Sequence, residues 1–205
     1  MAETVWAVRH GQRRDSVDPD WEDHAERLHD PPLTDLGRWA AWRVGRRLVE
    51  SGVAIDAVYA SPFLRAVETA EEICAEIGAE VLLEPGLSEH RNADWFDGHP
   101  ETVPVEHLAE WFDPVNPDHD PHVVPEFPED HGEATARIGE ATRAIAAEES
   151  GTVLLVGHGV TIGGVVDGLT GSAEAADAPL CGLTRLDRVG GEWELAFSGD
   201  TTHLE

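Results

Sequence analysis

Asp56–Gly78, DAVYASPFLRAVETAEEICAEIG, holds a strand and a helix back to back. Asp56–Ala60 is short and apolar, and Ser61-Pro62 closes it. That pair reads as a helix N-cap followed by proline at the first helical position, which predicts a helix over Phe63–Ile77 that stops at Gly78. The same alternation continues outward in both directions. Upstream, Thr4–Arg9 (TVWAVR) is a strand candidate ending at His10-Gly11, and Leu33–Ser51 carries Leu36, Ala40, Val44 and Leu48 at helical spacing before Gly52. Downstream, Glu80–Glu84 (EVLLE) is a third strand, closed by Pro85-Gly86. Glu133–Glu149 then predicts a helix, Thr152–Val156 (TVLLV) a strand ending at Gly157-His158-Gly159, and Val160–Leu169 a helix. Gly182–Asp187 and Glu192–Phe197 are the last strand candidates, and no internal repeat is visible. The alternation predicts an α/β three-layer sandwich, with a mainly parallel central sheet and helices on both faces.

One stretch breaks the rhythm. His90–His131 is rich in Pro and His and offers a single helical candidate, Val105–Trp111. The length of 205 residues fits one domain over 1–205, with 90–131 as a loop-rich lid or substrate-specificity insertion.

In such a fold, ligands sit beyond the carboxyl ends of the strands. His10 follows the first strand, Ser61 and the next turn with Arg65 follow the second, Glu89 lies past the third, and His158 follows the fourth. Together with Arg9 and Arg13 they would form a positive cleft suited to a dianion, because the planar guanidinium matches phosphate oxygens in bidentate fashion. An imidazole can attack phosphorus, and a nearby carboxylic acid can protonate the departing oxygen. No H-E-x-x-H spacing is present, so the arginines would neutralise the transition-state charge and no metal is expected.

Composition narrows the partners. With 14 basic and 41 acidic side chains the formal charge is −27, which argues against nucleic acid as a ligand. Every basic residue is Arg, and acidic residues run along the whole chain. This composition is like that of a haloarchaeal protein, because molar salt shortens the Debye length to about 3 Å and screens the self-repulsion. No apolar run approaches the roughly 18 residues that span a bilayer, and the start, MAETVWAVRHG, lacks a basic region followed by an apolar one. The expectation is therefore a cytoplasmic protein without a membrane partner. Cys74 and Cys181 are far apart and suggest neither a disulfide framework nor a cysteine metal site.

Four blocks now fall in register. Val8-Arg9-His10-Gly11-Gln12, Ala60-Ser61-Pro62 with Leu64-Arg65-Ala66 and Thr69-Ala70, Leu87-Ser88-Glu89, and Val156-Gly157-His158-Gly159 resemble the signature of the histidine phosphatase superfamily, the phosphoglycerate-mutase-like branch 1. The resemblance runs from about residue 5 to residue 170. Within it, Arg13, Asp30-Pro31-Pro32-Leu33-Thr34 and Glu84-Pro85-Gly86-Leu87 are similar to the protein tyrosine phosphatases of the suppressor-of-T-cell-receptor-signalling type. The resemblance implies a metal-independent phosphomonoesterase, free of cofactors, acting on a small-molecule or peptide phosphate ester. It implies that His10 is the nucleophile, that Arg9, Arg13, Arg65 and His158 bind the phosphoryl group, and that Glu89 is the general acid; by position alone, Asp94 and Glu101 in the following segment are competing carboxylates.

Two other readings use the same residues. A phosphoglycerate-mutase-type phosphotransferase would keep the phosphohistidine, and a non-catalytic phosphate-binding module would keep only the fold. The sequence leaves the oligomeric state open. His119, His122 and His131, around NPDHDPH, read as a solvated acidic loop in preference to a metal site. Trp39 and Trp42 read as packing residues of their helix, whereas some of Trp95, Phe96, Trp111 and Phe112 are expected to line a leaving-group pocket.

Overall fold

The computed structural model describes residues 1–205. In chain order the elements are β1 (Ala2–Arg9), α1 (Trp21–His24), α2 (Asp35–Glu50), β2 (Ala57–Ala60), α3 (Leu64–Ile77), β3 (Val81–Leu83), α4 (Val105–Trp111), β4 (Val115–Asn116), α5 (His131–Glu148), β5 (Gly151–Gly157), α6 (Gly159–Thr170), β6 (Leu183–Val189) and β7 (Glu192–Asp200). The strands form one sheet in the order β4-β3-β2-β5-β1-β6-β7. From β4 to β1 every pairing is parallel, and β6 and β7 join antiparallel at the far side.

Strand alternation divides the core into two layers. Val58, Ala60, Leu154, Val156, Trp6 and Val8 point to one face, where they meet Val44 and Leu48 of α2 and Val67 and Ile73 of α3. Their neighbours Ala57, Tyr59, Val153, Leu155, Val5 and Ala7 point to the other, against Ile138 and Ile145 of α5 and Ile162 and Val165 of α6. A period of two along each strand thus serves two apolar helix layers, which is the three-layer sandwich.

Several local expectations change. Ser61 does not cap α3; the buried Asp30 does, its Oδ1 accepting from the Leu64 amide at 2.7 Å. The helix opens at Leu64, and the Ser61 side chain, which accepts a long bond of 3.4 Å from the Phe63 amide, lies 2.8 Å from His158 Nε2. On α2, Leu36 is exposed, and the buried stripe runs through Gly37, Ala41, Val44, Gly45 and Leu48. Trp39 and Trp42 are also substantially exposed and not in the core: Arg43 covers the Trp39 ring, and the Trp42 indole donates to Glu76 of α3 at 2.8 Å. Within 90–131 the helical candidate Val105–Trp111 forms as α4, and the two-residue β4, for which the sequence offered no candidate, extends the sheet beside β3. No helix is long and apolar enough to cross a membrane.

Candidate active site

The parallel ladder continues one residue past three strands at the same edge. The His10 amide donates to Gly157 at 2.8 Å, the Ser61 amide to Val156 at 2.9 Å and the Glu84 amide to Ala60 at 2.8 Å. These bonds fix the backbone on which the site is built. Gly11 has a steric reason: a Cβ there would lie 2.5 Å from the Gly37 carbonyl, so the turn after His10 packs backbone to backbone against the start of α2.

His10 is 1% exposed, and its Nδ1 lies 2.8 Å from the Gly11 carbonyl. Donation from Nδ1–H to that carbonyl selects the tautomer that leaves a lone pair on Nε2. Burial, together with the charges of Arg65, Arg9 and Arg13, holds the imidazole well below its usual pKa, although the Gly11 hydrogen bond opposes this. His10 is neutral at neutral pH and therefore a competent nucleophile. His158 is fully buried. Its Nε2 is 2.8 Å from Ser61 Oγ, its amide donates to Thr161 Oγ1 at 2.7 Å, and its ring stands edge-on to His10 with centroids 5.3 Å apart. Burial and then Arg65 push its pKa well down as well.

Arg65 sits in the first turn of α3, 2% exposed, with its guanidinium 4.5 Å from the centre of the Phe63 ring. Burial lowers its pKa to about 10 despite the opposing charge of Glu89, so it stays protonated at neutral pH. Glu89 Oε2 lies 3.6 Å from Arg65 Nη2 and 3.4 Å from His158 Nδ1. One nitrogen each of His10 and His158 and one oxygen of Glu89 fall within 4.8 Å of one another. Arg9, Arg13, Arg65, Glu89 and Gly159 line a cleft of about 440 Å³, whose apolar side is made by Leu28, Pro31, Trp95 and Phe96. Arg9 donates to the Ala178 carbonyl at 2.9 Å, and Arg13 is held by Asp15 at 3.0 Å. Three buried nitrogens have no hydrogen-bond partner: Arg9 Nε, Arg65 Nε and His158 Nδ1, the last a donor when Ser61 gives its hydroxyl proton to Nε2. Unpaired donors beside a positive cleft favour an anion there, and the amino end of α6 adds its dipole in the same sense.

Of the six residues that the sequence points to, Arg9, Arg13, Arg65 and Glu89 line this cleft, while His10 and His158 are buried and each brings a nitrogen within 4.8 Å of a Glu89 oxygen. The competing carboxylates Asp94 and Glu101 are exposed and do not line the cleft. Trp111 is exposed on α4 and Phe112 packs against the core, so of the four aromatics only Trp95 and Phe96 reach the cleft. Arg137 was not legible. It is buried on α5, bridges to Glu129, and donates to the backbone carbonyls of Gly86, Ser88 and Glu89, thereby holding the turn that presents Glu89. Only its place on the inward face of a helix could have flagged it. Thr161, which accepts from the His158 amide, was likewise unassigned, and Ser61, placed at this sheet edge from the sequence, is given its partner in His158.

A mainly parallel sheet whose carboxyl edge gathers two histidines, three arginines and one carboxylate defines an α/β domain with a positively charged cleft suited to an anion. The profile of the histidine phosphatase superfamily (branch 1) matches residues 5–201, and the chain belongs to that superfamily. It is 29% identical over 198 residues to ecdysteroid-phosphate phosphatase of Bombyx mori, a match covering 80% of this chain but 30% of that one. It is also 27% identical over 221 residues to a probable phosphoglycerate mutase GpmB of Erwinia tasmaniensis, covering 98% and 94% of the two chains. The chain therefore spans under a third of the length of the ecdysteroid-phosphate phosphatase relative. Among solved structures, Bombyx mori ecdysone phosphate phosphatase in complex with tungstate superposes with a TM-score of 0.79 at 26% identity, covering 95% of this chain and 92% of that one. Bacillus stearothermophilus YhfR superposes at 0.70 with 25% identity and full coverage of both chains.

Proposed function

We propose that this chain is a metal-independent phosphomonoesterase that works through a phosphohistidine. His10 Nε2 attacks phosphorus as the ester P–O bond breaks, and Glu89 gives the leaving oxygen its proton. Glu89 then takes a proton from the water that hydrolyses the P–N bond, releasing inorganic phosphate and restoring both groups. Arg9, Arg65 and His158, with Arg13 at the rim, hold the non-bridging oxygens and neutralise their developing charge. The observation that carries this reading is the pairing of a neutral, buried His10 with three unpartnered donors beside one cleft. Guanidiniums do the electrostatic work of a metal here, and Arg65, 3.6 Å from Glu89, disfavours a cation between them.

The apolar wall of Leu28, Pro31, Trp95 and Phe96 favours an ester whose alcohol is flat and apolar. The name of the Bombyx mori relative, which specifies an ecdysteroid phosphate, supports the same class. The segment 90–131, which supplies Trp95 and Phe96, acts as the specificity lid of a single domain. The working environment in this reading is a saline cytoplasm, supported by the charge of −27 and the lack of Lys.

The test is phosphate release from nitrophenyl phosphate and from a panel of esters, with a chelator present. Wild type turns over unaffected by the chelator, His10→Ala is inactive, and Trp95→Ala with Phe96→Ala lowers the preference for aromatic esters. Chelator-sensitive turnover, or turnover by His10→Ala, overturns the reading. The likeness to a probable phosphoglycerate mutase keeps a phosphotransferase as the second reading, recognised by phosphate moving between hydroxyls of phosphoglycerate without release.

A further inference from the structure

The sequence places His119 and His122 in a solvated acidic loop, and the fold contradicts that. Both side chains are nearly buried, at 12% and 13% exposure, against the fully buried Glu84 and the ring of Tyr59. His131 lies elsewhere, at the start of α5 beside His90. The partner that changes the reading is Glu84, 38 residues before His122, at the end of β3.

We propose that Glu84, His119 and His122 form a binding site for a divalent transition-metal ion of the zinc class, separate from the phosphate cleft. One ligating atom from each lies within 4.8 Å of the others. Glu84 Oε2 is 3.8 Å from His119 Nε2 and 2.9 Å from His122 Nδ1. Ligands about 2.0–2.2 Å from one tetrahedral ion stand roughly 3.3–3.6 Å apart, and the two Glu84–histidine separations bracket that spacing. His119 Nε2 is buried without any hydrogen-bond partner. His122 Nε2 lies 2.7 Å from Glu148 Oε2, so that carboxylate can take the ring proton and leave Nδ1 as a ligand, the usual arrangement behind a metal-bound imidazole. The carboxylate is preorganised, because Glu84 already accepts from the backbone amides of Gly86, His122 and Val123. Two imidazoles and one carboxylate suit zinc, nickel or copper better than calcium or magnesium. A bound ion would staple the loop after β4 to the end of β3.

Without a metal the same groups form a clasp in which protonated His122 bridges Glu84 and Glu148, and the experiment separates the two. Zinc is titrated into the dialysed full chain and bound metal is counted in wild type, His119→Ala and His10→Ala. The expected result is one zinc per chain in wild type and in His10→Ala, and at least tenfold weaker binding in His119→Ala. Thermal midpoints should rise with zinc in the first two proteins only. Should His119→Ala fail to fold, Glu148→Gln at the exposed rim replaces it, with about tenfold weaker binding expected. No zinc in wild type, equal affinity in the loop variant, or zinc lost in His10→Ala overturns the proposal; the last result would place the ion at the cleft. None of these outcomes depends on phosphatase turnover.

Discussion

Burying an imidazole among guanidiniums keeps it neutral, and His10 shows the consequences for both activity and stability. In the folded chain His10 stays unprotonated well below pH 6.5, whereas in the unfolded chain it takes up a proton there. The unfolded state then binds more protons, so stability falls as pH drops below about 6.5. Replacing His10 with Gln removes one such group. Between pH 6 and 5 the variant should lose up to about 1.4 kcal/mol less per pH unit than wild type in urea unfolding. Equal slopes would show that His10 is not held neutral. Glu89 is tested through the leaving group. Glu89→Gln should slow alkyl phosphates, which need protonation, far more than nitrophenyl phosphate, which leaves unaided; equal loss on both would remove Glu89 from the acid role.

At the scale of elements, the turn between β3 and the loop segment is held from α5. Arg137 donates to three carbonyls of that turn and is neutralised by Glu129, both side chains being buried. Arg137→Met strands Glu129 and should cost about 3–5 kcal/mol. Adding Glu129→Gln should recover part of that stability. It should not recover kcat, which depends on where the turn places Glu89. Full recovery of kcat in the double variant would show that Arg137 matters for folding alone. Asp30 works in the same cross-chain manner, capping α3 from the loop before α2 and so fixing the turn that carries Arg65.

For the whole molecule, 41 acidic against 14 basic residues set the balance between self-repulsion and solvent. Exposed pairs such as Arg46 with Glu50 are worth about 0–1 kcal/mol each and cannot offset it. Moving from molar to millimolar potassium chloride lengthens the Debye distance from about 3 Å to beyond 30 Å, so the thermal midpoint should drop. A midpoint that holds steady or rises on dilution would end the high-salt reading. The positive cleft on this acidic surface should also bind dianions more weakly as salt rises, seen as a higher KM for nitrophenyl phosphate.

The strands and helices were legible in the sequence because hydrophobic periodicity is local, and the site residues were legible because they gather at or just beyond the carboxyl ends of the parallel strands. The alternation of strand and helix also carried the two-sided sheet. Spatial partnership decided the rest. Which residue caps α3, which arginine holds Glu89, and where His119 and His122 come to rest depend on Asp30, Arg137 and Glu84, each supplied by a distant part of the chain. A polar residue bound for a long-range hydrogen bond has no periodic signature, so its role emerges only when packing excludes water and leaves it the partners that the fold brings beside it.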